Sequence, residues 1–364
     1  MTQNLSIRGA HLVGSINQPT AAATLALLGE RLGAHAARIP DGEVGERFHW
    51  MLFQGSRLEA TPGLARVEMD PIMHEGFDLR PLVLDGTVDA QALVVPQLGY
   101  ASAAVESYAE FARLRAEGVI AEETRFQVSL PSPLAPVTSF VAQPLRAAVL
   151  PAYEAALIRE IEAMAAQIPA QDLAIQIDLA TEFGYIEGIN MGGGVMEAWF
   201  APEGSDPVRI AEAAAALALP LAAAVPAGVE LGFHLCYGDV GEKHFVEPGD
   251  SAHLVTVANA LVAGLERPVH WVHLPVPMER DDAAYFAPLA RLALGEGTQL
   301  FLGAVHHEDG VEGARRRLEA AAEPLAAAGV TEVGLGTECG FGRGPEERTA
   351  PLLDLHVRII DALA

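Results

Sequence analysis

Short apolar runs of strand length alternate with alanine-rich stretches of helical length along this chain, and that rhythm limits its fold more than any other feature. Strand-like runs are read at 10–15, 36–43, 126–130, 173–178, 229–236, 269–274, 299–305 and 332–336. Helices are expected near 20–34, 101–118, 145–167, 207–224, 251–265, 283–294, 311–328 and 351–363. Strands joined through helices run parallel, and eight such units are the count of a TIM (β/α)8 barrel. Residues 61–100 break the rhythm. Strand-like pieces at 80–88 and 92–96, around Asp85-Gly86, predict an inserted hairpin. A doubly wound sheet competes, but it predicts a glycine-rich nucleotide turn after the first strand, and His11-Leu12-Val13-Gly14-Ser15 supplies no GxGxxG. Residues 1–364 are therefore read as a single (β/α)8 barrel carrying that insertion.

With 51% hydrophobic residues the chain has material for a large core, which excludes disorder. No long uncharged apolar run appears, and the N-terminus shows no basic segment leading into an apolar one. Neither a transmembrane helix nor a signal peptide is expected. The two cysteines stand in different motifs and make no disulfide framework, which points to a reducing, cytoplasmic setting. A net charge of −25 argues against nucleic acid or an anionic membrane as partner. Lys243, the only lysine, sits in a polar loop, so Schiff-base chemistry is not expected.

In a barrel of this type the chemistry collects where strands end and loops begin. Polar residues expected there are Ser15, Asp41, Glu43, Ser132, Asp178, His234, Cys236, His273, His306, His307, Glu338 and Cys339. Taken singly, a strand-end aspartate is usually a cap and a buried cysteine a small hydrophobe. Together they say more. His234 and Cys236 share one strand face, roughly 6.6 Å apart along the backbone. Cys339 lies in a similar strand-to-loop setting, Gly334-Leu335-Gly336-Thr337-Glu338-Cys339. His/Cys/Cys is a set suited to zinc rather than magnesium or calcium. A zinc finger needs close-spaced pairs such as CxxC, and none exists. Ligands from distant strands suit an open, catalytic site better.

These residues resemble the catalytic C-terminal barrel of cobalamin-independent methionine synthase, within the wider group of zinc-dependent alkyl-thiol transferases. Val13-Gly14-Ser15 is similar to the family's first-strand segment, and Asp41 through Arg47 to its HGExER motif. Ile175-Gln176-Ile177-Asp178 matches IQID, His234-Leu235-Cys236-Tyr237 matches HxCY, and Thr337 through Arg343 resembles PDCGLxxR. The resemblance implies zinc on His234, Cys236 and Cys339, and an aminothiol such as homocysteine held by Ser15, Glu43 and Asp178. There are departures. His273 falls at or near the place of the family's glutamate ligand, leaving it as a fourth ligand or the fourth position vacant. The proton-donor histidine corresponds to His306 or His307, the match to the folate-site tryptophan is lost near Leu130-Pro131-Ser132, and the Glu-Pro pair after Asp178 is absent.

The implied reaction is transfer of a methyl or other alkyl group to or from a thiol, with a methyl-folate among the candidate donors. A C–S lyase or a zinc hydrolase on the same barrel is the rival, and a non-catalytic zinc or aminothiol binder the alternative outside enzymes. His244, His253 and the run Arg315-Arg316-Arg317 are read as surface residues. The loop 184–206, with Met191-Gly192-Gly193-Gly194, is read either as a lid or as a packed insertion.

Overall fold

A computed structural model describes residues 5–190, 195–238 and 243–363. Eight parallel strands form its centre: β1 (Ser6–Ala10), β2 (Arg38–Pro40), β3 (Arg125–Pro131), β4 (Leu173–Leu179), β5 (Glu230–Leu235), β6 (Trp271–Pro275), β7 (Gln299–Gly303) and β8 (Glu332–Leu335). Each strand from β2 to β7 pairs with the next, and β8 pairs with β1. Parallel bridges from Ala10 to Ala36 and from Ser15 to Gly42 join the β1 and β2 ends, so the sheet curls round on itself as a TIM-like barrel.

Helical segments follow the strands: α1 (Ala21–Leu32), α2 (Tyr100–Ala116), α3 (Arg146–Ala165), α4 (Pro207–Ala223), α5 (Ala252–Ala263), α6 (Ala283–Phe286), α7 (Gly310–Ala327) and α8 (Glu346–Leu363). Their starts carry local signals. Thr20 caps α1 through Ala23 N–H, and Asp206 caps α4 through Arg209 N–H with Pro207 in the first turn. α7 buries Ala314, Arg317, Leu318, Ala321 and Leu325, a single stripe at helical spacing.

The barrel interior is filled by period-two alternation along the strands. β4 points Ala174, Gln176 and Asp178 along one face, β5 Glu230, Gly232 and His234, and β6 Trp271 and His273. At the lower end Glu230 pairs with Arg38 and Arg125. Above it lie Trp271, Phe301 and Ala174, a small apolar layer separate from the main core. Glycines make room for it: a Cβ on Gly232 would meet the Trp271 ring at 2.0 Å, and one on Gly334 the Phe301 ring at 2.2 Å. Higher still, polar side chains replace apolar ones. In register, Asp178 stands beside His234 and His234 beside His273, a row across β4, β5 and β6.

Several expectations shift. The first strand lies at Ser6–Ala10 rather than at 10–15, and the apolar residues Leu12 and Val13 after it are buried loop. The insertion is present with different pairing. Leu64–Arg66 pairs with Leu82–Leu84, and Met73–His74 with Phe77–Asp78. The tight turn falls at Glu75-Gly76, whose φ values of 50° and 82° fit a primed hairpin turn, rather than at Asp85-Gly86. α6 is one turn continued by a 3-10 segment, Ala287–Arg291, because Pro288 lacks the amide that an α-helix needs. Arg317 is not a surface residue. It is buried at 1% exposure, forks onto Asp309 and donates to the Ala304 carbonyl at the end of β7. Residues 191–194 and Asp239 lie outside the described residues. Among the described residues no helix is long and apolar enough to cross a membrane.

Candidate metal centre

β5 ends by presenting His234 and then Cys236 on the same face, and the loop after β8 brings Cys339 across to them. Ligand atoms of all three lie within 4.8 Å of one another. The two sulfurs are 3.7 Å apart, with no disulfide between them. A tetrahedral ion with metal–sulfur bonds of about 2.3 Å sets its sulfurs about 3.8 Å apart, so the pair already has the required spread. His234 Nδ1 and His273 Nδ1 are 2.8 Å apart and share a hydrogen bond. This leaves His234 Nε2 buried without a hydrogen-bond partner. A buried imidazole nitrogen without a partner beside two thiols fits a metal ion, and the three residues can hold one.

His273 lies outside that three-residue group. It is fully buried, and burial holds it down to about 3, so it is a neutral imidazole. Burial, reinforced by His273 and His11, also holds His234 well below the ordinary histidine range. In a neutral pair one Nδ1 donates and the other accepts. With the proton on His234 Nδ1, its Nε2 lone pair is the free one, which is the tautomer a metal needs. Gly336 makes the packing possible: a Cβ there would meet His273 Nε2 at 3.0 Å and the His11 carbonyl at 2.9 Å.

The centre opens into a cavity of about 1530 Å³ whose wall includes Ser15, Glu43, Asp178, His234, Cys236 and Cys339. Glu43 is held in an unusual conformation, φ 53°, by the Asp41 carboxylate, which accepts its backbone N–H at 3.0 Å. Asp41 is itself fixed by a fork from Arg47, at 3.1 and 2.6 Å, and by the Ser107 hydroxyl. The Glu43 carboxyl lies over Gly14, where a Cβ would come within 2.8 Å of it. Burial raises Glu43 to about 7 against the pull of Arg47 and Arg343. Burial first, then the Glu43 charge, raises Asp178 well above the carboxylate range, although Gln176 donates to it at 2.8 Å. Ser15 accepts from Arg343 at 3.0 Å, and the loop around Cys339 packs flush on Ser15 because Gly340 and Gly342 have no Cβ to clash with it.

The two β7 histidines do not line this cavity. His306 donates from Nε2 to the Val276 carbonyl at 2.9 Å, and its Nδ1 lies 3.7 Å from Glu338. His307 is exposed, beside Glu308 and Arg348. Sequence reasoning missed three features. His244 is half-buried and pairs with Glu338 at 2.9 Å, beside Cys339. Arg343 sits in the wall next to Glu43, and its place in the Cys-Gly motif was the signal available. Trp50, with φ 53°, donates to Asp178, and nothing in the local sequence marks it.

No protein-family model matches the chain, and no curated protein matches it. Among solved structures, one from Listeria monocytogenes, described as a "putative vitamin-B12 independent methionine synthase", matches over 99% of both chains at 16% identity and a TM-score of 0.54. Another, a "putative lyase/mutase" from Burkholderia cenocepacia J2315, matches over 91% of this chain and 78% of its own at 13% identity, and its TM-score of 0.37 carries no argument. The likeness to the Listeria protein extends along the whole chain and shows a shared barrel fold.

Proposed function

We propose that this barrel is a zinc-dependent enzyme that transfers a methyl or other alkyl group to or from a thiol, with an aminothiol of the homocysteine type as one substrate. The observation that carries it is the His234, Cys236 and Cys339 group, opening into the same cavity as two buried carboxylates. The Listeria structure's description as a methionine synthase supports the reading, as does the order of the motifs.

Zinc, when bound, supplies a Lewis acid that deprotonates a coordinated thiol, whose free form has a pKa near ~8.5. His234 would hold it through Nε2, and the two cysteines as thiolates; three protein donors leave a position for the substrate. The chain's own residues do the rest. His273 fixes the His234 ring. Glu43 and Asp178 take the substrate ammonium, and its positive charge favours ionisation of both carboxyls in a site where burial disfavours it. Ser15, set by Arg343, lies on the same wall.

The test is direct. Cys236→Ser should lose zinc, measured by elemental analysis, together with the ability of homocysteine to raise Tm. Alkyl transfer should disappear with the metal. Full activity in metal-free protein would sink the proposal.

A further inference from the structure

The cavity is larger than the about 300–1,000 Å³ that houses one small ligand, so a second molecule has room beside a thiol. Its charged walls are not alike. Ser15, Glu43 and Asp178 stand on the β1, β2 and β4 ends. Arg146 stands elsewhere on the wall, at the first residue of α3 after the β3 loop.

Arg146 is held rigidly and left uncompensated. Its Nε donates to the Val141 carbonyl at 3.1 Å, Nη2 to the Thr138 carbonyl at 2.8 Å, and Nη1 to the Tyr185 hydroxyl at 3.3 Å. Tyr185 is anchored in turn by Trp199 Nε1 at 3.0 Å and by the Thr138 hydroxyl at 3.1 Å. A guanidinium has five N–H donors, so two remain without a protein acceptor. Among the described residues no carboxylate pairs with it, although acids outnumber bases by 48 to 23. Arg343, the other arginine of the wall, stands beside Glu43 and already donates to Ser15. A fixed fork with free donors on a cavity wall is what recognises a planar oxyanion, since two parallel N–H···O bonds match a carboxylate.

We propose that Arg146 is an anion subsite that seats a carboxylate carried by the alkyl-bearing co-substrate, at a distance from the metal corner. The co-substrate's role rests on the transferase reading; the subsite itself does not. A phosphate group shares the required chemistry, and the test separates the two.

Wild-type protein stripped of metal is treated with phenylglyoxal, which modifies accessible guanidinium groups, and the modified arginines are mapped by peptide mass spectrometry. Glutarate and inorganic phosphate are the probes. The expected result is saturable protection of Arg146 by glutarate, in the wild type and equally in Cys236→Ser. Stronger protection by phosphate keeps the subsite and assigns it to a phosphate-bearing ligand. Calorimetry on Arg146→Gln should show glutarate affinity lowered by roughly tenfold or more, with Arg146→Lys only partly restoring it because a point charge lacks the fork. Modification of Arg146 at one rate with and without either anion overturns the proposal, as does protection confined to Arg343. Because the footprint needs no metal, loss of the transferase reading leaves this result standing, and the reverse also holds.

Discussion

The β5–β8 corner of the cavity and its β2–β4 corner are both buried and both built from titrating groups, yet burial pushes them in opposite directions. At the first corner His234 is pushed down and stays neutral. At the second, Glu43 and Asp178 are pushed up towards neutrality. Burial therefore disfavours the charged form of the titrating groups at each corner until a cation arrives, and each corner prefers a different cation. A soft ion suits nitrogen and sulfur, whereas an ammonium suits two carboxylates. On the proposed reading, a substrate carrying both a thiol and an amine would span them.

The largest expected effect breaks one corner and spares the other. Cys339→Ser should lower zinc content on the order of tenfold or more, while an amino acid without a thiol still binds at Glu43 and Asp178 by calorimetry. Loss of both together would mean the corners are one structural unit. Next in size is His273. Replacing it by Phe removes the partner that sets the His234 tautomer and should weaken zinc roughly 10- to 100-fold, read by competition with a chromogenic chelator. His273→Gln keeps an acceptor for His234 Nδ1–H and should recover much of that loss. Were His273 a ligand itself, Phe and Gln would be equally harmful.

The barrel was legible because its signal is repeated: strand-length runs and helical stretches recur, and a slip of a few residues at β1 does not change the count. His234 and Cys236 were legible for a similar reason, since the strand period puts i and i+2 on one face. Cys339 was joined to them by its similar strand-to-loop setting, and the motif resemblance pointed the same way. Arg317 shows what local reading misses. Three adjacent arginines look alike in sequence, but a turn of 100° per residue points the third inward, to Asp309. His273 was expected at or near a ligand position; in the structure it hydrogen-bonds to His234, and which atom faces that ring is a matter of packing against Gly336 and cannot be read from spacing. Trp50 and Arg146 depend on loop conformation, for which the sequence holds no periodic signal.

A smaller effect sharpens the acid corner. Glu43 moves from an ordinary value of 4.5 to about 7 in the fold. Because the folded value is the higher one, the native state binds the extra proton, and the wild type loses stability as pH rises from about 4.5 through about 7. Glu43→Gln has no proton to lose. Its stability relative to the wild type should therefore climb across that window and level off above it, by up to about 3 kcal/mol in urea titrations. A difference independent of pH would show that Glu43 is ionised throughout. With an amine bound, the wild-type penalty should shrink, because the ammonium holds the carboxylate charged.

The smallest effect concerns the β7 histidines and decides which of them is tied to the metal corner. His306 is partly buried, donates to Val276 and faces Glu338, the neighbour of Cys339. Burial first, then the Arg317 charge, lowers it to about 4, so at neutral pH it is an uncharged ring. His307 is exposed and paired with surface groups. If a histidine of this loop protonates the departing group, it must reach the cavity, whose wall includes neither of them. His307→Ala should change alkyl-transfer kcat by less than about twofold, and because His306 is an uncharged ring outside the cavity wall, His306→Asn should lower it only a few-fold, with zinc content unchanged; a loss of roughly 10²–10⁴-fold at His306 would instead mark it as the general acid. Equal and small losses at both positions would move the proton donor to another element, and the His244–Glu338 pair is the next place to look, since Glu338 and Glu247 raise His244 to about 9 against the effect of burial and keep it protonated at neutral pH.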